Sequence, residues 1–424
     1  MPSALTSNYA TYTIVFVAMC GVVARPWRSS EALWSVAGAA SLVLAGLLPF
    51  SEAASAIARG ADVYMFLTGM MLLSELARRE GLFDYVAALC VLRARGSARR
   101  LFLLVYGVGT LVTIFMSNDA TAVVLTPAVL AVCRKAKAKP LPYLLGCAFI
   151  ANAASFVLPI SNPANLVIFG ERLPSLAHWV GRFLVPSLFA IGATYLVLKA
   201  FFRVDSMHRV TRDIEIPALS AAGKLAAVGV VLTASVLLGA SALGWPLGMC
   251  TLWTAGSACM AISIRKRESP WSLIRHVSWP VLALVAGLFV LVQSLERAGL
   301  LKALTELMQT TAAASTVGAA AAAGMGIALA SNLTNNLPAG LLAGSVVAAA
   351  AVDPLIQSAV AIGVDLGPNL SVTGSLATIL WLAVIRREGE VVSAWQFLRV
   401  GAIAMPVALV FALLALLLQD AIAR

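Results

Sequence analysis

The chain has 424 residues, 61% of them apolar and 12% charged, with a mean hydropathy of +0.93. So little charge cannot clothe a water-exposed surface, which excludes an ordinary soluble protein and makes a bilayer the solvent. The formal net charge of +11 would suggest nucleic acid in a soluble chain; here the basic residues fall in short loops between apolar runs, where they set membrane orientation and leave no nucleic-acid surface.

A spanning helix needs about 20 mostly apolar residues. Hydropathy predicts continuous spans near 9–24, 31–49, 61–77, 183–201, 224–242, 247–264, 279–295 and 397–419. The first has no basic segment before it and no small-residue cleavage pattern, so it reads as a retained span and not a signal peptide. Four further apolar regions, 101–133, 141–171, 312–350 and 355–385, are each interrupted by polar residues, glycine or proline. Unpaired backbone at membrane depth is tolerated only where it is buried in protein or lines a cavity, so these breaks mark a substrate path.

The two halves match each other. Leu67 to Cys90 lies over Val285 to Met308 without a gap at an offset of 218, pairing Gly69 with Gly287, Gly81 with Gly299 and, carried forward, Asn118 with Asn336. Ile150 to Gly170 lies over Ile362 to Leu382 at an offset of 212. Repeats with matching interrupted helices are the sequence pattern of a secondary transporter whose site lies between them.

Basic residues set the orientation. Arg93, Arg95, Arg99 and Arg100 precede the region 101–133 and Arg134, Lys135, Lys137 and Lys139 follow it, so both ends belong on the cytoplasmic side and the region is a re-entrant hairpin. Its partner, 312–350, carries no charge and enters from the other face, which inverts the halves. The expected fold is therefore all-α and polytopic, with two inverted repeats, about ten transmembrane helices of which two are broken, and two re-entrant hairpins. The N-terminal repeat is expected over 1–203, a cytoplasmic linker over 204–223 and the C-terminal repeat over 224–424.

At the first hairpin tip, Ser117-Asn118-Asp119-Ala120-Thr121 suits an N-cap and also aims backbone N–H groups into a cavity. Asn118 and Thr121 are expected on one helix face. An intramembrane carboxylate is costly and usually functional, so Asp119 is a candidate for proton or cation handling. At the second tip, Asn332, Asn335 and Asn336 fall at i, i+3, i+4 and are expected to share a helix face. The broken crossings carry Ser161, Asn162, Pro163 and Asn165, and Asp365, Gly367, Pro368 and Asn369 running on to Thr373, Gly374 and Ser375. Proline and glycine there free backbone carbonyls, while the amides and hydroxyls supply donors and acceptors. The six cysteines lie singly in or beside apolar segments, with no C-x-x-C, and are expected to be packing residues. His178, His208 and His276 have no second ligand nearby, and no metal site is expected.

At these motifs the chain resembles the bacterial arsenite/antimonite efflux permeases, the arsenical pump membrane proteins of the ion transporter superfamily. SNDATAVVLTP at 117–127, SNPANLV at 161–167, NNLP at 335–338 and above all DLGPNLSVTGSLATILWL at 365–382 look like that family's segments. The resemblance covers nearly the whole chain. It implies the superfamily fold, an elevator-type motion, and proton-driven export of arsenite and antimonite across the bacterial inner membrane. It also implies no enzyme activity, no cofactor and an optional cytoplasmic pump ATPase as partner. Some members carry aspartate where this chain has Asn152, which shifts the expected proton coupling to Asp119 and Asp365. The expected substrate site comprises Asn118, Thr121, Ser161, Asn162, Asn165, Asn332, Asn335, Asn336, Thr373, Gly374 and Ser375. Arsenite near neutral pH is mainly an uncharged tris-hydroxy species, and these motifs offer hydrogen-bonding groups without any Arg or Lys. A sodium/proton antiporter or sodium-coupled anion carrier is the alternative, because amides and freed carbonyls also suit Na⁺.

Overall fold

The computed structural model describes residues 4–26, 29–170, 173–204, 210–211 and 217–423; half of the expected linker, with His208, lies outside the described residues. Within them the chain is helical and has no strand. The elements run α1 (Ala4–Ala24), α2 (Glu31–Leu44), α3 (Phe50–Arg59), α4 (Ala61–Arg79), α5 (Leu82–Ala94), α6 (Ala98–Phe115), α7 (Thr126–Lys135), α8 (Leu141–Ala153), α9 (Pro163–Phe169) and α10 (Leu176–Phe201). The series then recurs as α11 (Ala221–Leu243), α12 (Leu247–Lys266), α13 (Trp271–Ile274), α14 (Trp279–Arg297), α15 (Leu300–Ala314), α16 (Thr316–Thr334), α17 (Asn336–Ala350), α18 (Pro354–Leu366), α19 (Leu376–Arg387) and α20 (Ala394–Ala423).

The duplication reaches individual atoms. Ser97 caps α6 by accepting from the Arg100 N–H, and Ser315, its equivalent, caps α16 by accepting from Gly318. Gly81 and Gly299 turn the chain into α5 and α15 in left-handed conformations, with φ of +73° and +90°. In each half a hairpin forms: α16 packs on α17, and α6 packs on the stretch Ala120–Leu125 that leads into α7. The crossings left are α1, α2, α4, broken α8–α9 and α10, then their five counterparts. An odd number per half inverts the second half against the first. By length and composition alone, eight described helices could cross a membrane; α6 and α16 are among them but are hairpin legs.

One expected span is shorter than hydropathy suggests. The run 31–49 ends as a helix at Leu44, Gly46 turns with φ +68°, and α3 follows, meeting α4 at a 48° bend. Gly46 accounts for the stop: its left-handed turn lets the Gly46 and Leu47 N–H groups close back on Val43 O and Leu42 O, and Pro49 then leads into α3.

The helices pack in two groups. One holds α1, α2, α4, α11, α12 and α14; the other holds both hairpins, both broken helices, and α10 against α20, while α5 and α15 link them. In the first group the halves clasp each other, α4 on α12 and α14 on α2. A Cβ on Gly69 would lie 2.8 Å from the Thr251 backbone, and one on Gly287 would lie 2.7 Å from that of Ser35. Such contacts have no room for side chains. Gly69→Val and Gly287→Val should each destabilise the protein by about 1–3 kcal/mol through overpacking, whereas Gly256→Val, which meets open space, should not. Thermal unfolding in detergent checks this.

Candidate functional site

Both hairpin tips and both broken helices converge on one small cavity. Its walls are Asn118 and Asp119 from the first tip, Asn336 and Leu337 from the second, Asn162 and Pro163 at the start of α9, Leu376 and Ala377 at the start of α19, and Leu67 and Val281 from α4 and α14. No basic side chain lines it. Its volume is about 10 Å³, room for no more than one water.

At the first tip the chain reverses after α6, and Ser117 Oγ caps the next segment by accepting from the Ala120 N–H at 3.2 Å. Residues Ala120–Leu125 are wound as a π-helix that runs into α7. Asn118 Oδ1 accepts from the Asp119 N–H at 3.0 Å, which leaves its amide nitrogen for the cavity. Thr121 does not join Asn118 there. The π winding turns it inward, where its hydroxyl meets Thr113 Oγ1 at 2.8 Å and staples the two legs.

The second tip also departs from expectation. Asn335 has φ +75° and ψ 151° and reverses the chain, so Asn332, Asn335 and Asn336 do not share a helix face. Asn335 caps α17 by accepting from the Leu337 N–H, and Asn336 lines the cavity. Asn332 stays on α16 and turns to the second break: its Nδ2 donates to Gly367 O at 3.0 Å, and its Oδ1 accepts from the Ser371 N–H and hydroxyl at 3.1 and 2.7 Å.

In the first break, Asn162 caps α9 through the Ala164 N–H and donates to Asp365 Oδ1 at 2.6 Å. Asn165 donates to Ser155 O at 2.9 Å, and Ser161 donates to Ile114 O on α6 at 3.0 Å. Thr373, the counterpart of Ser161, donates likewise to Asn332 O at 3.2 Å. Gly374 packs against Pro368 and Asn332 where a side chain would not fit. Ser375 caps α19 through the Thr378 N–H at 3.1 Å. Of the expected site residues, then, Asn118, Asp119, Asn162 and Asn336 line the cavity. Thr121, Ser161, Asn165, Asn332, Asn335, Thr373, Gly374 and Ser375 hold the backbone around it.

Asp365 is fully buried one residue behind Asn162, and also faces Ser155 and Asn165. Its Oδ2 and the Asn165 Oδ1 are buried oxygens without a donor. Asn152, which the sequence marked only as a departure from a family pattern, ties the repeats together: its Nδ2 donates to Asn369 Oδ1 at 3.0 Å, and Asn369 donates to Phe149 O at 3.0 Å. A lone amide in the apolar run AFIANAAS was the available signal. A larger hollow of about 620 Å³ opens beyond the far end of α9, beside His178 and the Arg182–Asp420 ion pair at 3.0 Å, and includes none of the cavity-lining residues.

A polytopic helical bundle with paired hairpins and broken helices around a small central cavity is a membrane transporter. The sequence model of the citrate transporter family (CitMHS) matches residues 14–365, and the chain belongs to that family. It is 25% identical to an uncharacterized transporter of Mycobacterium tuberculosis over 96% of this chain and 97% of that one. It is 29% identical to an arsenical pump membrane protein of Escherichia coli over 82% and 84% of the two chains. The fold is similar to that of the Alcanivorax borkumensis YdaH transporter, with a TM-score of 0.57 and 14% identity over 88% of each chain. The arsenical pump proteins expected from the motifs are thus among the chain's relatives, while the family model that it matches is named for citrate.

Asn369→Ala removes two bonds between the repeats, from the Asn152 amide and to the Phe149 carbonyl, and should cost about 1–3 kcal/mol. Asn118→Ala should leave the unfolding midpoint nearly unchanged while impairing transport. Paired thermal-melt and transport assays separate the two classes.

Proposed function

We propose that the protein exports arsenite and antimonite across a bacterial inner membrane in exchange for protons, by elevator-type alternating access. The observation that carries this is the cavity wall: three carboxamides and one carboxylate converge there without a basic group. Such a lining suits a neutral tris-hydroxy solute, which needs donors and acceptors rather than a counter-ion. The likeness to an arsenical pump membrane protein supports the same substrate.

Asp119 and Asp365 carry the coupling protons. Asp119 stands on the cavity wall, and a proton on Asp365 Oδ2 supplies the donor that the orphaned Asn165 oxygen lacks. The repeats, 1–203 and 224–424 around the linker 204–223, each give the moving unit one hairpin and one broken helix. The packing in two groups, with few contacts between them, supports sliding of one group against the other. Any pump ATPase partner docks on the basic cytoplasmic loops.

In everted vesicles with an imposed pH gradient, antimonite uptake should collapse with a protonophore. Asp119→Asn and Asp365→Asn should each lower it by about tenfold or more. Unchanged uptake in both variants would remove the coupling scheme. A sodium-coupled anion carrier is the second reading, favoured by the helix N-termini of α17 and α19 at the cavity and by the family's name. Sodium-dependent citrate uptake without antimonite movement would establish it.

A further inference from the structure

The two hairpins occupy equivalent places but are held unequally. Each has one shared latch, a hydroxyl of the break donating to a hairpin carbonyl: Ser161 to Ile114 O and Thr373 to Asn332 O. At the next level the halves diverge, because the position that is Ile114 in the first half is Asn332 in the second. The Asn332 side chain adds hydrogen bonds to Gly367 O, the Ser371 N–H and the Ser371 hydroxyl. Beneath it, α16 and α18 touch backbone to backbone. A Cβ on Gly363 would lie 2.1 Å from Gly324 O, and one on Gly367 would lie 2.3 Å from Ala328 O. The first-half equivalents of these glycines are Ala151 and Ser155, and there the approach of α6 to α8 is set by side chains, with a Cβ on Gly109 2.9 Å from the Ile150 side chain.

The tips differ in the same sense. Asn335 sits at φ +75°, ψ 151°, a conformation that a residue other than glycine keeps only when its surroundings over-determine it. The first tip has no such residue. It closes on local contacts, Ser117 with Ala120 and Asn118 with Asp119, and its return leg opens in a π-helical stretch, a winding rarer than the α form and frequent at functional sites.

We propose that Asn332 is a positioning residue that fixes the second hairpin to the second break, and that the first hairpin is the gate through which the site is loaded. Asn332 holds the strained Asn335 turn, and that turn presents Asn336 to the cavity. The first hairpin, latched once to its break, opens and admits the solute to a space that now has room for no more than a single water. The proposal rests on the cavity being the transport site, not on which solute is carried.

Amide hydrogen exchange of the full chain in lipid nanodiscs, without substrate, tests it. Residues 116–121 should exchange at least about tenfold faster than residues 332–336. Asn332→Ala should bring the second tip to within about threefold of the first, and in transport should raise KM more than it lowers kcat, because Asn336 is displaced while the rest of the site stands. If Asn332→Ala does not fold, Ser371→Ala and Thr373→Val each remove one bond of the same latch and should give intermediate acceleration at 332–336. Equal exchange at both tips, faster exchange at the second, or no response to any latch variant overturns the proposal. Loss of antimonite transport as the function would leave the exchange pattern as stated.

Discussion

A polypeptide that breaks its helices at membrane depth must find partners for the backbone groups it frees, and the centre of this protein is arranged around that requirement. Ser155 O receives the Asn165 amide, Ile114 O the Ser161 hydroxyl, Gly367 O the Asn332 amide and Phe149 O the Asn369 amide. The last of these comes from the opposite repeat. With Asn152 on Asn369 and Asn162 on Asp365, such bonds lock the two broken helices into one body. Most of the conspicuous polar residues of the motifs are consumed in this way. Asn118, Asp119 and Asn336, which are not used to tie the breaks, face the cavity together with Asn162, whose amide is already engaged by Asp365.

That division explains what could be read from the sequence. The spans, the hairpins and the inverted duplication were legible because hydropathy, loop charge and an ungapped repeat act over tens of residues. The meeting of four interruptions followed from the duplication. The role of each side chain within an interruption did not, because it depends on partners far away in sequence. Asn332 was grouped with Asn335 and Asn336 on spacing alone. The reversal at Asn335 sends it to the other side of the hairpin, and nothing local announces a positive φ beyond asparagine's tolerance for it. Thr121 was misplaced for a similar reason, since π winding shifts every residue after the tip off the 3.6-residue period. Gly46, by contrast, was a readable stop signal inside 31–49 that averaged hydropathy overrode.

The unequal halves bear on how transport could proceed. A duplicated protein with identical hairpins would have no reason to load from one side before the other. Here glycines at 363 and 367 and the amide of Asn332 make one side a welded block, while alanine, serine and isoleucine at the equivalent places leave the other with fewer ties. The cavity is too small for a solute of four heavy atoms, so something must give on loading, and the less tied element is the first hairpin. The apolar face that α4 and α14 offer, Leu67 and Val281, adds no polar contact from the outer group of helices. A load held by amides of one group and only touched by the other can travel with the group that holds it.

The central claim is that the transported solute sits where the two tips and the two breaks meet. A structure of the protein loaded with antimonite, with the antimony located by its anomalous scattering, tests this most directly. The account predicts one principal peak among Asn118, Asp119, Asn162 and Asn336, in a cavity enlarged beyond its present volume. A principal peak at the buried cysteines or in the outer hollow beside Arg182, with the central cavity empty, would contradict it.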